Sequence, residues 1–236
     1  MRIKFISKIF WVLEYLFFYP RLKKIYYRIN KTQNTDNLTT QNIFDIGAHK
    51  GQTVNFITKV FPKAKIYSFE PNPEAFYVLE KFNTNNISCL NVGFDSKVGE
   101  TVFFVSKFSE TSCLNLPAED SKWNSFKLKI LGLKAAEMYN KIKIKLITVD
   151  HFIEQNELLE IFLLKIDVEG SELDVLKGSF NSLSSGKIKY IQLEELRNDL
   201  YKSNFLEIDL LLMKVGKRRM YSIRHPVGNF YEHIYG

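Results

Sequence analysis

From Asn42 onward, short apolar runs alternate with stretches whose apolar residues recur every three or four positions. Ile43–Ile46, Lys65–Phe69, Ile87–Val92, Phe162–Asp167 and Tyr190–Glu194 have the length and the β-branched or aromatic content of strands. Gln52–Val60, Pro73–Phe82, Glu172–Leu183 and Leu206–Val215 carry the helical period. Strands alternating with helices predict βαβ units, and so an α/β fold with a mostly parallel sheet covered by helices on both faces. Thr101–Ser106 and Lys141–Thr148 instead alternate apolar and polar residue by residue, which predicts an added antiparallel pair. Between them, Ser121–Asn140 reads as a partly helical cap. The closing stretch MYSIRHPVGNFYEHIYG predicts an antiparallel hairpin turning at Pro226-Val227-Gly228-Asn229.

Residues 1–41 follow another pattern and divide from a domain spanning 42–236. Ile9 to Tyr19 is apolar apart from Glu14, but is too short to cross a bilayer, which takes about 20 apolar residues. Tyr19-Pro20-Arg21 lacks the small residues of a signal-peptide cleavage site. Two readings remain for this arm. One is a pair of helices, broken at Pro20, that pack on the domain. The other is a helix lying in an anionic membrane surface, aromatic side inward, its Lys and Arg at the headgroups. Asn30–Asn42 then reads as a polar linker.

Charge sharpens this division. The net charge of +7 resides wholly in residues 1–31, where Arg2, Lys4, Lys8, Arg21, Lys23, Lys24, Arg28 and Lys31 face a single acid, Glu14. The remainder is electroneutral, so the basic balance is no argument for a nucleic-acid substrate. With 236 residues, 45% of them hydrophobic, the chain is long enough for one full core. Cys89 and Cys113 make no disulfide framework and no metal-ligand spacing. They suit a reducing compartment, and a cytoplasmic protein with peripheral contact at the inner membrane face is the expectation.

In open α/β sheets, ligands bind beyond the carboxyl ends of the strands. After the first strand comes Asp45-Ile46-Gly47-Ala48-His49-Lys50-Gly51, whose glycines allow a tight turn and close approach to the backbone. After the second comes Glu70, followed by Pro71 and Asn72; it stands 19 residues beyond Gly51, where an acid accepts from ribose hydroxyls. These features imply a nucleoside-containing ligand. A dinucleotide fingerprint would need glycines at 47, 49 and 52, but His49 and Gln52 stand there, and no Walker-type Gly-Lys-Ser/Thr occurs. Asp45 repels a pyrophosphate and suits a ligand with a positive end. S-adenosylmethionine has one: ribose for Glu70, ammonium and sulfonium near Asp45. Val92 and Gly93, after the third strand, are placed to meet the adenine edge.

FLLKIDVEGSELDVLKGS, Phe162 to Ser179, carries an apolar strand into Asp167 and Glu169 and turns at Gly170 into a helix. Two carboxylates at a strand end are costly in a cleft without a task; the alternative reading makes Glu169 or Ser171 the cap of the following helix. Glu194 and Glu195 end the next strand.

The chain resembles the FkbM-type methyltransferases, S-adenosylmethionine-dependent O-methyltransferases of small molecules and glycans. The resemblance runs from Ile43 to Glu195 and rests on DIGAHKGQT, FEPNP, TSCLNLP (Thr111–Pro117), TVDHF (Thr148–Phe152) and KIDVEGSELDVLKG. It implies a class I methyltransferase, Rossmann-like fold. Cofactor contacts are then expected from Asp45, Gly47, Ala48, His49, Gly51, Glu70, Pro71, Asn72, Val92 and Gly93. His49 departs from the family, which typically has Asn there. The arm and the 121–140 insertion lie outside the resemblance.

An alcohol is a poor nucleophile, so its methylation requires a base or a metal ion. Asp167 and Glu169 are the expected bases and Glu194 the third candidate. The alternative, three carboxylates holding a divalent cation such as Mg²⁺, is not favoured over a base. His49 is titratable but sits in the cofactor loop; His151 reads as structural. The amino-methylating Asn/Asp-Pro-Pro-aromatic motif of nucleic-acid methyltransferases is replaced by IDVEG. The competing expectation is a non-catalytic or different-acceptor S-adenosylmethionine-binding protein at a membrane surface.

Overall fold

A computed structural model describes residues 12–31, 41–107, 111–118, 121–131, 138–196, 205–226 and 229–236. The start of the arm, the 32–40 part of the linker, 132–137 of the insertion and Val227-Gly228 of the hairpin tip lie outside the described residues.

Strands β1 (Asn42–Ile46), β2 (Lys65–Phe69), β3 (Ile87–Leu90), β7 (Ile161–Ile166), β8 (Ile188–Leu196), β9 (Arg219–Arg224) and β10 (Phe230–Tyr235) form one sheet in the order β3-β2-β1-β7-β8-β10-β9. The pairs from β3 through β8 are parallel, and β10 runs antiparallel to both β8 and β9. This is the class I methyltransferase sheet: mostly parallel, reversing at β1, with a C-terminal antiparallel hairpin. β4 (Gly93–Phe94), β5 (Gly99–Ser106) and β6 (Tyr139–Ile147) make a second small sheet, in which β5 and β6 are the antiparallel pair.

The helices are α1 (Tyr19–Lys31), α2 (Gln52–Val60), α3 (Pro73–Leu79), α4 (Lys122–Leu131), α5 (Val149–Gln155), α6 (Glu172–Lys177), α7 (Phe180–Ser184) and α8 (Phe205–Lys214). α1, α2, α3, α5, α6, α7 and α8 each contribute buried apolar residues to the clusters that cover the sheet. Phe44, Ile46, Leu164, Ile166, Ile191 and Leu193 point to one side, against Phe152, Val175, Leu176, Ile208 and Leu212. Ile43, Ile66 and Leu163 point to the other, against Ile57 and Val60 of α2 and Leu22, Ile25, Tyr26 and Ile29 of α1. Spaced by three and four, those α1 residues form one stripe.

Three differences from the sequence reading have local causes. Pro20 does not break the arm: a π-helical turn, Glu14–Phe18, runs straight into α1, and its wider ring accommodates a residue lacking an N–H. Glu172–Leu183 is two helices, because the Asp150 carboxylate accepts from the Asn181 and Ser182 amides (2.9 Å each) and starts α7 afresh. The third strand stops at Leu90, where the Asn91 side chain donates to the carbonyls of Glu70 and Pro71 and turns the chain.

Candidate active site

At the carboxyl ends of β1, β2, β7 and β8 lies a cavity of about 410 Å³. Gly47, Ala48, His49, Glu70, Pro71, Val92 and Gly93 form one part of its wall, and Asp167, Val168, Glu169 and Glu194 another. The topology makes this meeting. β1 lies between β2 and β7, so loops about 120 residues apart in sequence open side by side.

The β1 loop is held by its backbone. The Gly47 and Ala48 amides both donate to the Phe69 carbonyl at 3.0 Å. Gly47 has φ of 83°, and a Cβ on it would lie 1.8 Å from the Asp167 carbonyl oxygen. Only a residue without a side chain lets the two loops touch. His49 has φ of 47°, a left-handed conformation that Asn adopts more readily than most residues, which accounts for the residue usual in the family. Its amide donates to Glu70 Oε2 at 2.9 Å, while its ring meets Gln52 near the surface.

Glu70 is buried and its two oxygens are split: Oε2 takes the His49 amide and Oε1 the Asn72 amide at 2.8 Å. Each oxygen keeps a second lone pair. Burial, only partly offset by those two bonds, raises its pKa to about 7. Asn72, Gly51 and Asp45 do not reach the cavity wall. Asn72 Oδ1 caps α3 by accepting from Glu74, and Gly51 starts α2 beneath Phe82.

Asp45 lies fully buried on the sheet face covered by α1. Its partner is one that sequence reasoning missed. Lys165, the last residue but one of β7, sits in register with Asp45; its Nζ is 3.3 Å from Asp45 and 3.0 Å from Asp167 Oδ2. Burial works against the Lys165 ammonium, but the two acids outweigh it and hold the pKa well above its usual value. The signal was present: a lysine inside an apolar strand, two residues before an acid, shares that acid's side of the sheet.

Alternation extends this polar layer. Gln192 sits in register with Lys165, and Glu194 with Glu232 on β10. Glu194 lines the cavity; burial, then the nearby Asp167 and Glu169, push its pKa well up. Glu195 points the opposite way, 2.7 Å from His233 Nε2, so the expected acid pair is divided by the pleat. Glu232 is buried behind Glu194, with a pKa raised to about 7, chiefly by burial.

Glu169 has φ of 54°, and Gly170 of 95°, so the turn after β7 is wound left-handed. Glu172 holds it: buried, its Oε1 accepts from the amides of Val168 (3.3 Å) and Gly170 (3.1 Å). The acid that braces this turn is therefore Glu172, while Ser171 stands at the helix N-cap without a side-chain cap bond. The Thr111–Pro117 motif also closes on the site, with Ser112 and Leu114 on the cavity wall and Asn115 donating to Ser171 at 3.1 Å. From the arm, Glu14 and Tyr19 reach the same wall. Left-handed backbone at Gly47, His49, Glu169 and Gly170 and the acids Glu70, Asp167, Glu169 and Glu194 thus gather around one cavity.

The family model for the methyltransferase FkbM domain matches residues 45–222. The chain belongs to that family. The FkbM match takes in the β1 loop, Glu70, Asp167 and Glu194, and stops short of Glu232; Glu14 lies before it. Two curated relatives are the hexuronic acid methyltransferase AglP of Haloferax volcanii and the methyltransferase sdnD of Sordaria araneosa. AglP is 27% identical over 146 residues, which are 61% of this chain and 52% of AglP. For sdnD the identity is 29% over 154 residues, 58% of this chain and 59% of sdnD. The chain thus spans a little over half the length of the curated relatives it matches. Among solved structures, M. capricolum TrmK in complex with S-adenosylhomocysteine aligns with a TM-score of 0.47 at 14% identity, covering 89% of this chain and 67% of that one.

Proposed function

We propose that this FkbM-family chain is an S-adenosylmethionine-dependent O-methyltransferase acting on a hydroxyl of a small molecule or glycan. The observation that carries this reading is one cavity walled by both the glycine loop with Glu70 and the carboxylates Asp167, Glu169 and Glu194. The residues fit the cofactor. Glu70 has lone pairs to offer a ribose, Val92 and Gly93 offer backbone to an adenine, and the acids beneath suit a ligand bearing positive charge. AglP is named for a hexuronic acid, which supports a sugar-class acceptor.

When bound, the cofactor supplies a methyl group on a sulfonium leaving group. The chain's own residues position the acceptor and receive its proton. Glu194 is suited to take that proton, because its raised pKa brings a carboxylate nearer to an alcohol in basicity. Lys165 Nζ, 3.0 Å from Asp167 Oδ2, fixes that side chain at the cavity edge. Asp45, beneath the wall, acts through Lys165 rather than by contact.

The experiment is a pair of measurements on the full chain. Calorimetry should show S-adenosylmethionine binding that weakens at least about tenfold in Glu70→Gln, which gives one ribose hydroxyl an N–H where it needs an acceptor. Labelled-methyl transfer to hexuronate-containing glycans and lipid-linked sugars should disappear in Glu194→Gln with binding retained. Absence of cofactor binding in the unaltered chain would overturn the reading.

A second reading concerns location. Val12, Tyr15, Leu16, Phe17 and Tyr27 are exposed, and Arg21, Lys23, Lys24 and Arg28 stand on the outer side of α1. We propose that this aromatic and basic face rests on an anionic membrane while the inner face stays in the core. No described helix is long and apolar enough to cross one.

A further inference from the structure

Behind Glu194 the cavity wall conceals a second cluster. Glu194 of β8, Glu232 of β10 and His225, just beyond β9, bring two carboxylate oxygens and an imidazole nitrogen within 4.8 Å of one another. His225 Nε2 is 4.0 Å from Glu194 Oε1 and 4.0 Å from Glu232 Oε1. Those gaps are too wide for hydrogen bonds. They are a few tenths of an ångström wider than the roughly 3.3–3.6 Å between ligand atoms around a tetrahedral ion with bonds of about 2.0–2.2 Å, so a small closure of the three side chains would seat one. His225 Nε2 and Glu232 Oε2 are buried and have no hydrogen-bond partner among the described residues.

The far side of the imidazole is already engaged. His225 Nδ1 is 3.2 Å from Glu14 Oε1, and Phe18 stacks on the ring at 4.1 Å. A carboxylate on one ring nitrogen fixes the tautomer that offers the other nitrogen to a metal. Local charge points the same way. Lys165 is the one ammonium shared by Asp45 and Asp167, and its charge also reaches Glu232, so the acids around it outnumber it. Among the described ion pairs, Glu194 and Glu232 have His225 and no lysine or arginine within contact.

We propose that Glu194, His225 and Glu232 form a site for a divalent first-row transition metal, with Glu14 orienting its histidine. One imidazole with two carboxylates suits Mn²⁺ or Zn²⁺ better than Mg²⁺, which prefers an all-oxygen shell. The Mg²⁺ alternative weighed for Asp167, Glu169 and Glu194 shares only Glu194 with this cluster. On the methyl-transfer reading above, a cation held by Glu194 would replace that carboxylate as the base, by lowering the pKa of an acceptor hydroxyl in the cavity. Metal binding itself does not depend on that reading.

The test uses full-length chain stripped with chelator, dialysed, and titrated with Mn²⁺, Zn²⁺ or Mg²⁺ without cofactor. Metal content, Mn²⁺ electron paramagnetic resonance and thermal melting are the readouts. About one equivalent of Mn²⁺ or Zn²⁺ with a rise in Tm is expected, and its loss in His225→Gln. Glu14→Gln leaves all three ligands in place and should weaken binding 10- to 100-fold. Asp167→Asn should retain the full equivalent. No stoichiometric metal in the unaltered chain, or equal binding by a folded His225→Gln variant, would overturn the site. So would full affinity in Glu14→Gln if His225→Gln does not fold. Metal bound by a chain that fails to bind S-adenosylmethionine would sink the proposed function and leave this site standing.

Discussion

His49 and Gly47 show how a single position can be set by its backbone. At His49 the loop uses the amide, which reaches Glu70, and a left-handed φ, while the ring lies toward solvent with Gln52. His49→Asn should therefore keep cofactor affinity within about twofold and gain up to about 1 kcal/mol in stability, since Asn tolerates that φ better. Calorimetry and melting curves check both; loss of methyl transfer with binding intact would instead make the ring a base. Gly47→Ala is the opposite case. Its Cβ would meet the Asp167 carbonyl oxygen at 1.8 Å in a backbone conformation alanine disfavours. A loss of about 3 kcal/mol is expected in denaturant unfolding, with the β1 and β7 loops pushed apart.

At the scale of elements, α1 does two jobs on two faces. Leu22, Ile25, Tyr26 and Ile29 share a core with β1, β2 and β7, and the Tyr26 hydroxyl donates to Gln192 in the polar layer of the sheet. Leu22→Ala should cost about 2–5 kcal/mol, the range for a buried leucine, measured by urea unfolding. The outer face should be replaceable without such a loss. Arg21, Lys24 and Arg28 changed together to Gln should leave Tm within about 2 °C and abolish pelleting with phosphatidylserine vesicles at moderate salt. Equal pelleting of both proteins would remove the membrane from the account. Because Glu14 and Tyr19 line the cavity, a membrane-bound arm would set the cavity mouth close to a lipid-linked acceptor.

Taken as a whole, the molecule buries acids that respond to pH in a definite direction. Glu172 has its pKa raised from 4.5 to about 7, chiefly by burial, so the folded chain keeps a proton that the unfolded chain releases. Folding stability from this group is then greatest below about pH 4.5 and is lost as pH rises toward 7, at up to about 1.4 kcal/mol per pH unit. Glu172→Gln keeps an acceptor for the Val168 and Gly170 amides and cannot ionise. Its Tm between pH 5 and 7.5 should fall less than that of the unaltered chain; parallel curves would contradict the assignment.

Period and spacing by themselves determined most of the elements, the parallel sheet with its closing hairpin, the glycine loop, Glu70 and the Asp167 strand end. These are local signals: a strand alternates or it does not, and a loop between strand and helix must supply its own glycines. The tertiary structure decided which strands are neighbours, and through that the partners of each charge. Lys165 between Asp45 and Asp167, Glu232 beside Glu194, and His225 against Glu14 join residues up to 211 positions apart. No local pattern encodes such pairings. Glu14 reads as an interruption in an apolar arm, and Glu232 as one polar residue in an aromatic strand. Only when α1 covers the sheet and β10 inserts between β8 and β9 do they become parts of one buried cluster, because burial turns an ordinary carboxylate into one that must find a proton or a cation.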